Sequence, residues 1–585
     1  MEFLKDLNEK QKLAVTTPNK KVLVIAGAGS GKTKVLTSRI AYLLESGVPK
    51  DKIKAFTFTK RAAMEMKYRL KKYEFDNIFT FHSSCYQILN ECKYELGFND
   101  KKKIHVIDDD FSYKLIDMIL SKMNLNFNQR MIKDYISKRK NGINNPINDL
   151  EKERLYNQLF YNYQEYLMNK GFIDFDDMIS LIVNNFDNLV IKDFILDECE
   201  YILVDECQDT NQVQFDLITK LSSKYHNIFM VGDINQLIYS FRSSDINIIN
   251  DFKETADEVI ILNQNYRCSQ NILSYANKLI KNNKTKIDYE IFSNIPTKFE
   301  IKIEDYQNIE QEAKITAYKI KKLIELGYKP NEIAVLYRNN NQSIMIESEL
   351  KKLNIPYTQY GKLKFYDNDL IKRIIAIYKF IDTPDLILFR IIKPIDQIVY
   401  EKLVNNYNSD KDLITYLNSY PNDSINDTSN SLKDLIDNKN NLDKKSKFES
   451  ILNILTTDVT NESDLVYARE FKDIILNSEL EEYELFNELM LDPTIYNKNE
   501  MGVNLLTIHK AKGLEFKCVF IISINDKILP NNKIDNNKLE EERRLLYVAM
   551  TRAKDYLSLS SAEYHISDGI KKRLKPSLFL SELKT

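Results

Sequence analysis

The stretch Lys21-Val22-Leu23-Val24-Ile25-Ala26-Gly27-Ala28-Gly29-Ser30-Gly31-Lys32-Thr33 decides the fold. It opens as an apolar, β-branched run, the pattern of a buried strand, and Val35-Leu36 through Ile40-Ala41 then follow a helical spacing. Between them, small residues let backbone N–H groups wrap a phosphate at a helix N-terminus. Lys32 can reach the β- and γ-oxygens, and the Thr33 hydroxyl can hold Mg²⁺. Ala26 stands where the first glycine is usual, a small change because it ends the strand. The segment therefore predicts a nucleoside triphosphate bound by Ala26, Gly27, Gly29, Ser30, Gly31, Lys32 and Thr33.

Working outward, Tyr201-Ile202-Leu203-Val204 reads as a second strand ending in Asp205-Glu206. An Asp-Glu pair is usually solvated surface. At the C-terminal edge of a strand beside a phosphate loop, Asp205 becomes a metal ligand and Glu206 a general base. A third strand, Asn227-Ile228-Phe229-Met230-Val231, delivers Gly232-Asp233-Ile234-Asn235-Gln236 to the same edge. Gln236 is a candidate γ-phosphate sensor, although a glutamine in a loop is by itself ordinary. The reaction implied is nucleotide hydrolysis.

At 585 residues the chain exceeds one hydrophobic core, so several domains are expected. With 43% hydrophobic and 29% charged residues it is neither wholly disordered nor membrane-embedded. No apolar run approaches the roughly 20 residues of a membrane span, and the first residues lack signal or transit character. A cytoplasmic protein without membrane partners is expected. The six cysteines form no C-x-x-C pair and the five histidines do not cluster with them, so no zinc site is expected. The net charge of −2 excludes a broadly basic surface, so any nucleic acid must be held by local chemistry.

Further motifs run collinearly. Leu7-Asn8-Glu9-Lys10-Gln11 precedes the phosphate loop; Thr57-Phe58-Thr59-Lys60, Thr80-Phe81-His82-Ser83, Asp174-Phe175-Asp176-Asp177-Met178 and Asp205-Glu206-Cys207-Gln208-Asp209-Thr210-Asn211 follow it. Then come Tyr239-Ser240-Phe241-Arg242, Gln264-Asn265-Tyr266-Arg267 and Tyr337-Arg338-Asn339-Asn340. The last two are Thr507-Ile508-His509-Lys510-Ala511-Lys512-Gly513-Leu514-Glu515 and Arg543-Arg544-Leu545-Leu546-Tyr547-Val548-Ala549-Met550-Thr551-Arg552. This order resembles the superfamily 1 DNA helicases of the UvrD, Rep and PcrA type.

The resemblance implies an α/β fold of two RecA-like P-loop lobes with parallel sheets, each lobe interrupted by a mainly helical accessory insertion. The first lobe is expected over 1–90 and 173–262, its insertion over 91–172, the second lobe over 263–370 and 500–585, and a reduced insertion over 371–499. ATP is the implied nucleotide and Mg²⁺ its metal, held by Thr33 and Asp205. Catalysis falls to Lys32, Glu206, Gln236, Arg267 and Arg552. Gln11, Arg39, Tyr266, Gly513 and Glu515 are further implied nucleotide contacts. Phe58, His82, Tyr239, Phe241, Arg242, Arg338, Asn340 and His509 match DNA-facing positions, with Phe241 where tryptophan is usual.

Single-stranded DNA and its junctions with duplex are the implied partners, with repair or replication proteins beside them, and the chain is expected to be a monomer when these are absent. Stacking on aromatic faces, at ~1–3 kcal/mol per base, reconciles strand binding with the low net charge. The implied activity is ATP-dependent 3′ to 5′ unwinding. A second reading stays open: a DNA-stimulated ATPase that displaces proteins or acts as a scaffold without efficient unwinding. Its support is the second insertion, where Phe389-Arg390-Ile391-Ile392-Lys393-Pro394-Ile395-Asp396-Gln397-Ile398 lacks the glycines of the family's duplex-gripping turn. The Asn-, Asp- and Ser-rich stretch from Asn405 to Lys447 reads as loops or short helices.

Overall fold

The computed structural model describes residues 2–98, 103–143, 147, 149–196, 199–239, 246–285, 289–359, 368–407, 412–455, 462–491, 502–531, 536–567 and 570–584. The apolar runs become strands of two separate parallel sheets. The first has the order Ile78–Thr80, Ile53–Thr57, Tyr201–Val204, Asn227–Gly232, Lys21–Ala26, Glu258–Leu262. The second has the order Lys302–Asn308, Ala553–Ser567, Phe516–Ile521, Ile333–Tyr337, Val503–Thr507, Tyr357–Gln359, with Ile570–Arg573 antiparallel beyond Ala553–Ser567. Each parallel neighbour is reached by a crossover, and helices cover both faces. Hence Val22–Ala26 and Ile333–Tyr337 are buried along their whole length instead of alternating.

This topology sets the chemistry on one rim. The strand Lys21–Ala26 lies between Asn227–Gly232 and Glu258–Leu262, so the loops leaving all three emerge side by side. Open parallel sheets gather ligands at the C-terminal ends of their strands for this reason.

The helices outside the sheets form one layer. Asp109–Lys122, Gln129–Lys140 and Leu150–Lys170 come from the first half of the chain; Asp369–Asp382, Leu386–Ile392, Gln397–Asn406 and five later helices through Glu482–Leu491 come from the second. Although far apart in sequence, they share a single apolar core that includes Phe111, Tyr163, Phe172, Phe380, Phe389, Phe448 and Phe471. Asn487 stitches the layer to the first lobe: its Nδ2 donates to the Tyr86 hydroxyl at 2.6 Å, and its Oδ1 accepts from the Val106 amide at 2.9 Å. Lys379, buried, donates to the Val106 carbonyl at 2.6 Å.

The polar stretch 405–447 differs from its reading as loops or short helices. It holds a 16-residue helix, Asp423–Asn438, capped by Asn422. Ile425, Ser429, Leu432 and Leu435 recur at helical spacing and are buried, so a narrow apolar stripe orders a segment whose composition is mostly polar. No described helix is long and apolar enough to cross a membrane.

Candidate functional site

The phosphate loop turns out of its strand into the helix Lys32–Glu45, with Gly29 and Gly31 at φ +65° and +86°, the left-handed region glycine adopts without strain. Both are also points of close approach. A Cβ on Gly29 would collide with the Asn265 amide and lie 2.9 Å from Arg267 Cβ; one on Gly31 would lie 3.1 Å from Gln11 Nε2. Asn265 Nδ2 donates to the Ala28 carbonyl at 2.5 Å, and its Oδ1 accepts from the Arg267 and Cys268 amides at 2.7 Å each. The loop is thus gripped by a side chain to which the motif assigns no role, next to Tyr266, to which it does.

Gln11 closes the other side. It completes the capping box of the helix Glu9–Thr16 with Asn8, and its Nε2 donates to the Ser30 carbonyl at 2.9 Å. Asn8 in turn donates to the Tyr266 hydroxyl at 2.7 Å, and the Tyr266 ring is half exposed at the mouth. Asn8 thus links the buried Gln11 to Tyr266, whose half-exposed ring offers a flat face on which a nucleobase can stack. Arg39 lies elsewhere. Its buried guanidinium donates to the Val15 carbonyl at 2.8 Å and sits over the Tyr42 and Phe229 rings, anchoring the helix Glu9–Thr16 from behind. No described contact brings it to the loop.

At the carboxylate edge, Lys32 Nζ meets Glu206 Oε2 at 3.0 Å, and Thr33 Oγ1 lies 3.5 Å from Asp205 Oδ2. Burial and the neighbouring Glu206 charge push the Asp205 carboxyl up. Burial would raise Glu206 too, but Lys32, Lys512 and the Gln208 amide outweigh it and hold Glu206 ionised. Glu206 sits at φ +50°, a strained backbone for a side-chain-bearing residue, costing of order 1–3 kcal/mol. Gln208 secures it: Nε2 donates to Glu206 Oε2 at 2.6 Å while Oε1 accepts the Asp233 amide at 2.9 Å. Cys207, where the motif usually has phenylalanine, fits against Gly232, on which a Cβ would lie 2.5 Å from its Sγ.

The second sheet supplies the opposite wall. Arg552 is buried; its Nη2 donates to Gln236 Oε1 at 3.3 Å, its Nη1 to the Leu514 carbonyl at 3.2 Å and its Nε to the Val548 carbonyl at 3.0 Å. Burial, then Arg267, pushes its guanidinium down to about 10, still charged near neutrality. Arg267 pairs with Glu515 at 2.7 Å, and Glu515 also takes Lys554 at 2.5 Å. Gly513 has φ +84° and open space around it. A buried bridge joins the two walls: Lys512 Nζ reaches Asp209 at 2.5 and 2.7 Å and the Gln236 carbonyl at 2.8 Å. Neither partner of that bridge was assigned a role from sequence. The signal available was an acid and a lysine in two motifs of opposite lobes.

This cleft fits a phosphate chain with a divalent cation. Ser30 Oγ is buried with no hydrogen-bond partner among the described residues, the glycine loop leaves a backbone cradle, and a hydroxyl faces a carboxylate oxygen, the hard-oxygen donor set that magnesium takes.

Beside the cleft, Phe58 stacks on Tyr239 with centroids 5.5 Å apart and planes 13° off parallel, and Tyr239 leans on His509 at 6.3 Å. The Tyr239 hydroxyl donates to the His509 carbonyl at 3.2 Å, and Lys512 lies 4.9 Å over the Tyr239 ring. Three expected strand contacts from both lobes thus form one aromatic group touching the inter-lobe bridge. His82 stands edge-on to Phe175 at 6.1 Å. Arg338 is forked onto Glu542 at 2.8 and 3.2 Å, and the exposed Asn340 accepts the Ser343 hydroxyl through its carbonyl at 2.8 Å. Neither has a described contact with the aromatic group. Phe241 and Arg242 lie outside the described residues.

Residues 7–257 match the family model for the UvrD/REP helicase N-terminal domain, and residues 260–564 match that for the UvrD-like helicase C-terminal domain. A probable DNA helicase II homolog of Mycoplasma capricolum is 34% identical over 99% of this chain and 87% of its own length. The ATP-dependent DNA helicase PcrA of Staphylococcus epidermidis is 33% identical over 99% of this chain and 87% of its length; that of Staphylococcus aureus is 33% identical over 99% and 86%.

Proposed function

Since the chain belongs to the UvrD/Rep helicase family and is an ATP-dependent DNA helicase, we propose that it moves 3′ to 5′ along single-stranded DNA and opens duplex at junctions, in DNA repair or replication. One observation carries the mechanism: cations from both lobes meet at a single phosphate loop, Lys32 from one side and Arg552 with Arg267 from the other, with Gln236 between them.

Glu206, ionised and aimed by Gln208, takes a proton from the attacking water. The bond between the γ-phosphorus and the bridging oxygen breaks, releasing ADP and phosphate. Lys32, Arg267 and Arg552 hold the charge that spreads over the γ-oxygens, which is where phosphoryl transfer gains most from fixed charge. Magnesium bound by Thr33 and Asp205 would neutralise β- and γ-oxygens. Gln11 and the Tyr266 face hold the base. Because the cationic shell is complete only when the lobes meet, hydrolysis is tied to their closure. Phe58, Tyr239 and His509 stack bases, and Lys512 links that group to Asp209 and so to the hydrolytic edge.

The test is strand displacement on duplexes with a 3′ or a 5′ tail. ATP should open the first and not the second, and Lys32→Ala and Glu206→Gln should open neither. Preference for the 5′ tail would reverse the polarity, and wild-type turnover by either variant would remove the catalytic assignment.

The second reading, a DNA-stimulated ATPase that clears proteins or serves as a scaffold, is favoured by the glycine-free connection 393–396 between the helices Leu386–Ile392 and Gln397–Asn406. Arg390, beside it, faces inward, 4.1 Å over the Tyr400 ring and 3.5 Å from Asp117. Strong DNA-stimulated hydrolysis without displacement on either duplex would favour it.

A further inference from the structure

The segment that follows the helix Gln270–Ile280 returns to the phosphate loop. Phe292–Ser293 pairs in parallel with Gln264–Asn265, and Asn277 Nδ2 holds the Ile291 carbonyl at 2.8 Å, so residues 289–293 are pinned beside Tyr266 and Arg267. From there Tyr289 and Ile291 cover Gly27: a Cβ on Gly27 would collide with the Ile291 side chain and lie 3.2 Å from the Tyr289 ring. The Tyr289 ring packs against the cores of both lobes, and its hydroxyl donates to Asp233 Oδ1 at 3.1 Å.

Asp233 is the hub of a chain of hydrogen bonds. Its Oδ2 accepts Gln236 Nε2 at 2.7 Å, its Oδ1 also accepts the Asn235 amide at 3.0 Å, and Gln236 Oε1 accepts Arg552 Nη2 at 3.3 Å. An amide whose nitrogen is committed to a carboxylate must present its oxygen elsewhere, so the orientation of Asp233 fixes which face Gln236 offers to Arg552 and to the γ-phosphate. With Asn235 and Gln236 both on the loop that Asp233 opens, and Lys32 acting on that carboxylate through its charge, Tyr289 supplies the one side-chain hydrogen bond described to it from outside its own loop.

We propose that Tyr289 is a positioning residue for hydrolysis: its hydroxyl orients Asp233, which orients Gln236, so that seating of the 289–293 strap on the phosphate loop sets the polar face of the γ-phosphate pocket. Tyr289 touches no reacting atom. The inference rests on the roles given above to Gln236 and Arg552.

Tyr289→Phe removes only the hydroxyl and leaves the ring that packs on Gly27. In steady-state, DNA-stimulated ATP hydrolysis by the full chain, kcat should fall roughly tenfold, as for a lost hydrogen bond to a charged group, with KM for ATP changed less than about twofold and thermal unfolding unmoved. In a Gln236→Ala background the same substitution should cost less than about twofold, because its effect passes through Gln236. An unchanged kcat, a loss confined to KM, or an equal loss in both backgrounds would each overturn the inference. Gln236→Ala and Arg552→Lys assayed alone separate the two levels: if both keep wild-type turnover, the γ-phosphate reading itself falls, whereas if both are impaired and Tyr289→Phe is not, only this inference does.

Discussion

The nucleotide cleft and the helical layer are held together by opposite means. Across the cleft, charged or polar side chains make the bridges: Lys512 to Asp209 and Arg552 to Gln236. Within the layer, helices from two distant parts of the chain merge into one apolar core. Charged contacts exchange partners when a ligand of matching charge arrives, whereas an apolar core of near-crystalline packing does not deform continuously. The cleft is therefore a polar seam between the lobes, and Asn487 fastens the helical layer to the first lobe through Tyr86. The largest effect expected from breaking the polar side is on rate. Lys32→Ala or Glu206→Gln should lower kcat by roughly two to three orders of magnitude, the range for removing a group aimed at developing charge, while the melting temperature shifts little. A comparable loss of fold would mean that the cleft, too, is a structural core.

Breaking the apolar side should do the reverse. Phe389 is fully buried in the shared core, and truncating such a ring costs about 3–5 kcal/mol. Denaturant unfolding of Phe389→Ala should lose that much in the transition reporting on the helical layer, with residual nucleotide affinity retained below it. If the two insertions unfolded in separate steps, the single shared core would be the wrong description.

The same contrast explains what could be read from sequence. Lys32, Thr33, Asp205, Glu206 and Gln236 could be brought to one sheet edge from sequence because each follows the end of an apolar run that forms a strand of the first sheet. Arg552 and Arg267 were placed by their motifs, not by any local pattern. What stayed hidden depends on a second surface. Asn265 shows its importance only through the Ala28 carbonyl it holds, and Asp209 and Lys512 only through one another. Tyr289 belongs to no quoted motif at all. In the helical layer, residues 423–438 were misread because Asp, Asn and Ser dominate the composition while four buried positions, Ile425, Ser429, Leu432 and Leu435, decide the structure. The union of two insertions into one core has no sequence signal, since apolar periodicity gives the face of a helix and not its partner.

The aromatic group lies between the two regimes, apolar but straddling the cleft. Tyr239→Ala should weaken single-stranded DNA binding by ~1–3 kcal/mol, measured by fluorescence anisotropy at fixed salt, while Tyr239→Phe, which keeps the ring stacked on Phe58, should stay near wild type. Equal losses in the two variants would shift the role from stacking to the hydroxyl's bond with the His509 carbonyl.

The smallest expected effect sharpens the comparison most, because it separates bridge from fold within one titration. Burial, with Glu206 nearby, pushes the Asp209 carboxyl up to about 6 although Lys512 pulls it the other way. As pH falls through about 6, Asp209 takes up a proton and the bridge to Lys512 loses its charge, so DNA-stimulated turnover should decline a few-fold on that limb. The stability contribution runs in the opposite direction. Between the unfolded carboxyl's ~3.9 and the folded value the native state binds more protons than the unfolded one, so lowering the pH across that window relieves a burial cost at this residue. Rate therefore drops where this group's contribution to stability rises, which acid unfolding does not do. Asp209→Asn should start a few-fold slower at neutral pH and show no such limb. Should the limb persist in that variant, the titrating group is another carboxyl of the cleft.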